Sequence, residues 1–257
     1  MTSEYINIRC DLQDGVARIT LNRPPLNILN LQMMEEITRA LEDFKSRDGL
    51  KLLVLDHQGK AFSAGADIKD HTPDKVKQMI ELFHGMFRSL GSLAAPSLAV
   101  VNGAALGGGC ELATFCDLVV ASERATFGQP EINVGVFPPI AAVILPHLIG
   151  RNRTLELLLT GEIVAAAEAE KMGLINRAFP TESFRADVDK FVARLASLSA
   201  PVLKLAKRAV DQTLGLSVEA GISRVEKMYF DELLRTEDAQ EGINAFLEKR
   251  PPVWKNK

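Results

Sequence analysis

Cysteine is scarce here, and the few present form no pattern. The 257-residue chain holds three, Cys10, Cys110 and Cys116. An odd number without CxxC spacing argues against a disulfide framework or a zinc site. Cys110 and Cys116 lie among small apolar residues and are expected to be buried free thiols. The four histidines, His57, His71, His84 and His147, show no metal-ligand spacing. Each is expected to be structural, and no metal is expected. Long apolar runs are missing too: no uncharged segment reaches the roughly 20 residues of a membrane span, so no membrane contact is expected. The first ten residues lack a basic segment followed by an apolar run, so no leader is expected, and a cytoplasmic location is. Positive charge is not in excess. The net charge is −3 and no long basic stripe occurs, which argues against a nucleic-acid partner. Lys204, Lys207 and Arg208 make a short basic helix face that is expected to be solvated.

What is present is ordinary globular composition, 47% hydrophobic and 25% charged, in a chain long enough for a sizeable core. Tyr5–Cys10 and Gly15–Leu21 alternate as strands around a Gln13-Asp14-Gly15 turn. Asn30 is placed to cap a helix carrying Met33, Met34, Ile37, Leu41 and Phe44 at helical spacing. LLVLDH, Leu52–His57, reads as a strand covered on both faces. A helix is expected from about Pro73 to Leu90, then buried strands at Ser97–Val101 and Leu118–Ala121. Repeated strand–loop–helix units imply an α/β fold with crossover connections. After Pro146 strand character largely disappears. Helices are expected at Leu155–Leu159, Ala165–Met172, Phe184–Leu198, Val202–Leu214, Val218–Leu234 and Asp238–Leu247.

Two stretches carry chemistry. AFSAGADIK (Ala61–Lys69) and NGAALGGGCEL (Asn102–Leu112) place small residues where an apolar strand gives way to a loop or helix. Such turns leave backbone N–H groups free to face a ligand oxygen. Gly107-Gly108-Gly109 lacks both the P-loop and the dinucleotide-binding spacing, so an oxyanion site is the better reading. Ser63 lacks the GxSxG context of a nucleophile. Glu111 stands in the apolar run CELATF, where an unpaired carboxylate is unusual, and Glu131 follows in FGQPE. Together the two could share a water and a reacting carbon, with coupled pKa values; which is base and which is acid stays open.

These residues, with NRPPLNILN (Asn22–Asn30), CDLVVASERATFGQPE and EAEKMGLIN (Glu168–Asn176), resemble the crotonase (enoyl-CoA hydratase/isomerase) superfamily over nearly the whole chain. The resemblance implies a crotonase-like spiral of βα turns forming two nearly perpendicular sheets. It implies a spiral core over 1–195 and a C-terminal helical trimerisation region over 196–257, in a homotrimer or dimer of trimers. It also implies an acyl-CoA thioester as the ligand, with coenzyme A part of the substrate and no separate cofactor.

By the same resemblance, the Ala64 and Gly108 N–H groups form the oxyanion hole and Glu111 and Glu131 are the catalytic pair. Ala61, Phe62, Ala64, Ala66, Asp67, Ile68 and Phe137 contact the substrate. Keeping both glutamates favours water addition over double-bond isomerisation. One departure stands out. Where straight-chain hydratases carry a glycine-rich run after the second glutamate, this chain reads Gly135-Val136-Phe137-Pro138-Pro139. That stiffer run, with HTPDKVKQM (His71–Met79) and the tail Ala245–Trp254, is most similar to the branch acting on a cyclic dienoyl thioester. The implied reaction is 1,4-addition of water to cyclohexa-1,5-diene-1-carbonyl-CoA, giving 6-hydroxycyclohex-1-ene-1-carbonyl-CoA, within anaerobic benzoyl-CoA degradation. A general enoyl-CoA hydratase of fatty-acid oxidation is the alternative. A non-catalytic RNA-binding homologue is remote on charge.

Overall fold

The computed structural model describes residues 5–47 and 49–257; the expectation of no leader rests partly on residues 1–4, which lie outside the described residues. The chain opens with an antiparallel pair, β1 (Ile8–Gln13) and β2 (Val16–Leu21). Helix α1 (Leu31–Lys45) follows, and the Asn30 side chain accepts from Met33 N–H at 3.0 Å, so the expected cap is there. From this point one unit recurs three times: a long strand, a strand of three residues, then a helix.

In the first turn, β3 (Leu52–His57) leads into β4 (Ala61–Ser63), a 3₁₀ turn at Ile68–Asp70, and α2 (Val76–Gly91). In the second, β5 (Ser97–Val101) leads into β6 (Ala104–Leu106) and α3 (Gly108–Phe115). In the third, β7 (Leu118–Ser122) leads into β8 (Thr126–Gly128), a 3₁₀ turn at Pro130–Val134, and α4 (Pro139–Thr160).

The rest of the chain runs β9 (Ile163–Ala165), α5 (Ala166–Lys171), β10 (Arg177–Phe179), α6 (Phe184–Ala196), α7 (Ala200–Thr213), α8 (Val218–Asp231) and α9 (Glu237–Leu247). Among the described residues the long strands, with the three-residue β10 at one edge, form one sheet, ordered β1-β2-β3-β5-β7-β10. The short ones form a second, β4-β6-β8-β9. Apart from the β1–β2 and β8–β9 pairs, neighbours run parallel, as crossover helices require.

β3 shows why its sequence is a continuous apolar run. Leu53 and Leu55 join the main core, while Leu52 and Val54 face the opposite side and pack with Phe184 and Val188 of α6. Two expectations are corrected after Pro146. Strands β9 and β10 are there, each three residues long and too short to show a period. The helix expected at Leu155–Leu159 begins at Pro139 and is broken at Gly150. Pro139 masks its start in the sequence, yet a proline fits the first helical turn, where no N–H partner is needed. The helix expected over Val218–Leu234 ends at Asp231 and gives way to a 3₁₀ turn at Leu233–Arg235. The basic face of α7 is not simply solvated: Lys207 pairs with Asp117 at 2.8 Å and Arg208 pairs with Glu232.

Candidate active site

The three short parallel strands end side by side, and the chain leaving each supplies one part of a site. After β4 comes Ala64-Gly65-Ala66, after β6 Gly107-Gly108, and after β8 Gln129-Pro130-Glu131. Ligands of parallel α/β sheets collect at this carboxyl edge. The junctions are tied together: Gly107 N–H donates to the Gly128 carbonyl at 2.9 Å. α3 can start against β4 only because Gly109 has no side chain; a β-carbon there would lie 2.4 Å from the Ser63 carbonyl oxygen.

The amide donors differ from expectation at one position. Ala64 N–H donates to the Leu26 carbonyl at 2.9 Å, so it is spent within the fold and is not a free oxyanion donor. The Ala66 N–H is the free one. Ala66 bridges Leu29 through its neighbours: Leu29 N–H donates to the Gly65 carbonyl and Asp67 N–H to the Leu29 carbonyl. Neither Ala66 N–H nor Gly108 N–H has a partner among the described residues. The two sit close together, since a β-carbon built on Gly108 would lie 3.3 Å from the Ala66 nitrogen. Gly108 is also the first residue of α3, where the helix dipole favours negative charge.

Glu111 lies in the first turn of α3 and is only 1% exposed. Its Oε1 accepts from Ile140 N–H at 2.7 Å and Ala141 N–H at 2.8 Å, two donors at the start of α4. Burial pushes its carboxyl up to about 8 against those hydrogen bonds, and the nearby Glu131 charge adds to the rise. Glu131 sits on the 3₁₀ turn, and burial pushes it up to about 6; its Oε2 is buried without a partner. Both glutamates line a cavity of about 620 Å³ together with Ala66, Gly107 and Gly108. The cavity is otherwise mostly apolar, walled by α2 residues such as Val76, Met79 and Phe83 and by Val136–Pro139. Two carboxyls with raised pKa values beside two unpartnered amides can polarise a carbonyl and move a proton to or from a water.

The other expected contacts divide. Ala64, Ala66, Ile68 and Phe137 line the cavity, Phe137 at its exposed rim. Ala61 and Phe62 do not. Ala61 pairs with Ala104 in the short sheet, and Phe62 is fully buried with its ring edge-on to His57. Asp67 is absent from the lining as well, and its carboxylate accepts from Lys69 N–H to start the 3₁₀ turn. Ser63 is fully buried and its Oγ accepts from Gly65 N–H, which fits the rejection of a nucleophile. His71, read as structural, lines the cavity. Cys110 and Cys116 are buried free thiols as expected, and burial pushes Cys110 up to about 12. No group of three or more His, Cys, Asp or Glu among the described residues is placed to hold a metal ion, and no helix there is long and apolar enough to cross a membrane.

Residues 11–257 match the model of the enoyl-CoA hydratase/isomerase family, and the chain belongs to that family, the crotonase superfamily. It is an enzyme of the hydro-lyase class. A probable enoyl-CoA hydratase of Rhizobium meliloti is 39% identical over 98% of this chain and 99% of its own length. The cyclohexa-1,5-dienecarbonyl-CoA hydratase of Thauera aromatica is 36% identical over 99% and 98%. The crystal structure of an enoyl-CoA hydratase from Bacillus anthracis superposes with a TM-score of 0.92 at 31% identity, covering 98% of this chain and 100% of that one.

Proposed function

We propose that this enzyme adds water to a conjugated acyl-CoA thioester, and that its acyl group is the ring of cyclohexa-1,5-diene-1-carbonyl-CoA. The pairing of Glu111 and Glu131 with the free amides of Ala66 and Gly108 on one cavity carries the hydratase reading. The thioester oxygen binds between the amides and gains charge as water attacks the β-carbon. Preorganised donors of this kind contribute about 3 kcal/mol each. Between pH about 6 and about 8 the pair holds one proton, which leaves Glu131 as the base that takes the proton of water and Glu111 protonated beside it. Coenzyme A enters as part of the substrate, and the carboxyls and amides supply the chemistry without a further cofactor.

The ring is supported by the Thauera aromatica relative and by the rim after the second glutamate. There Phe137-Pro138-Pro139 stiffens the wall next to the amides that hold Glu111. The product is 6-hydroxycyclohex-1-ene-1-carbonyl-CoA, an intermediate of anaerobic benzoyl-CoA degradation, formed in the cytoplasm. The 39% identity with the Rhizobium meliloti protein favours a second reading, a general enoyl-CoA hydratase. Side-by-side kcat/KM values for the cyclic dienoyl thioester and crotonyl-CoA separate them. A preference for crotonyl-CoA overturns the ring.

Residues 196–257 are proposed as a trimerisation region in a homotrimer or dimer of trimers. Supporting this, Tyr229, Phe230, Phe246 and Leu247 on α8 and α9 are between 52% and 82% exposed, large apolar side chains of the kind an interface covers. Light scattering of the purified protein gives the mass directly.

A further inference from the structure

The cavity holds four polar side chains among the described residues: the two glutamates, Asn133 and His71. Of the other two, only His71 has a ring nitrogen that can give up or take a proton. It comes from a separate wall, at the end of the Ile68–Asp70 turn that leads from the Ala66 amide, while the glutamates come from α3 and the Pro130–Val134 turn. His71 Nδ1 lies 3.1 Å from the Asp67 carbonyl oxygen. A carbonyl only accepts, so Nδ1 is the donor in the neutral ring as in the imidazolium. The ring is thereby oriented, and Nε2 is left without a protein partner among the described residues.

We propose that His71 is the acid that delivers the proton to carbon, at the far end of the diene; this rests on the cyclic dienoyl reading above. The chemistry calls for such a group. Water oxygen bonds to C2 of the ring as one of its O–H bonds breaks, its proton passing to Glu131. The C1=C2 electron pair moves to the thioester oxygen, held by Ala66 and Gly108, and leaves a dienolate conjugated through C6=C5. As that charge returns, a C1=C6 double bond forms and C5 takes a proton from Nε2–H of the His71 imidazolium. C5 lies across the ring from C2, so a donor on a different wall from the glutamates meets the geometry of 1,4-addition. Glu131 then loses its proton to solvent and His71 regains one, and the balance is one water added.

The test uses the full-length protein with His71→Gln and His71→Gly, assayed on the cyclic dienoyl thioester and on crotonyl-CoA. Loss of a general acid is expected to lower dienoyl kcat by about 100-fold, with KM within about threefold. The dienoyl-to-crotonyl ratio of kcat/KM is expected to fall at least about tenfold, because a simple enoyl thioester takes its proton at the α-carbon. Added imidazole is expected to restore part of the dienoyl kcat in His71→Gly, which a merely structural role would not allow. An unchanged ratio, a change confined to KM, or no rescue in a folded variant overturns the proposal. Failure of the wild type to hydrate the diene overturns the substrate reading and this step with it. Wild-type hydration of the diene with His71→Gln unimpaired overturns this step alone.

Discussion

Glu131 rests against the Cα of Gly107: a β-carbon on that glycine would lie 2.5 Å from Oε1. Gly107 also has φ of 51° with ψ of −129°, a mirror-image extended conformation that a side chain disfavours by about 1–3 kcal/mol. Glycine at this position is therefore what lets one carboxylate stand beside the amide of the next residue.

Gly107→Ala is expected to displace the Glu131 carboxylate more than it unsettles the fold. Turnover should drop by about 100-fold or more, while unfolding free energy falls by about 1–3 kcal/mol. Steady-state kinetics beside denaturant titration would show it, and retained turnover would count against a positioned Glu131.

Glu111→Gln and Glu131→Gln are each expected to lower kcat by about 10²–10⁴-fold, the span attached to a positioned proton-transfer group. Near wild-type turnover in both would end the paired-carboxylate mechanism.

Gly108→Pro removes an amide with no partner in the fold, at a first helical position whose backbone suits proline, although its β-carbon would press on the Phe83 ring at 3.0 Å. Turnover is expected to fall by about 100-fold or more for a lost oxyanion donor. Ala64→Pro removes a donor that the fold uses, so a lower melting temperature is its expected signature. Circular dichroism melts beside kcat compare the two. Equal kinetic and stability losses in both variants would undo the distinction between the amides.

The pH dependence follows from the raised carboxyls. kcat/KM is expected to fall below about pH 6, as Glu131 is protonated, and above about pH 8, as Glu111 ionises. Stability changes in one direction only. A carboxyl raised in the fold from 4.5 to about 8 is easiest to accommodate when protonated, so its stabilisation is complete below 4.5 and is lost as pH rises towards 8. Glu111→Gln keeps an acceptor for Ile140 and Ala141 but cannot ionise. Its melting temperature is expected to gain on the wild type steadily between pH 5 and 8.5, and a constant offset across that window would contradict the assignment.

Legibility from sequence followed segment length and the reach of each contact. β3, β5 and α1 could be read because their periods or apolar runs span five residues or more and Asn30 marks a cap. From periodicity alone β4, β6 and β8 could not, since three residues hold no period; only the family likeness implied a second sheet. Glu111 was visible as a carboxylate in an apolar run. The choice between the Ala64 and Ala66 amides was not visible. It depends on where Leu26 and Leu29, nearly forty residues earlier, lay their carbonyls, and no local pattern encodes that pairing. That Ala61 and Phe62 fall outside the cavity lining was not visible either, since it follows from the pairing of Ala61 with Ala104 and the burial of Phe62 in the core. His71 carried no sequence signal beyond being a lone histidine just after the loop.

The three-turn spiral also divides labour along the chain. Each short strand ends in a reactive part, whereas the acyl wall comes from α2 and from Val136–Pro139. Replacements at Val76, Met79 or Phe137 can therefore alter which acyl group fits while the amides and carboxyls keep their places. Drift in substrate and loss of chemistry become separate events, open to change in different residues of one small protein.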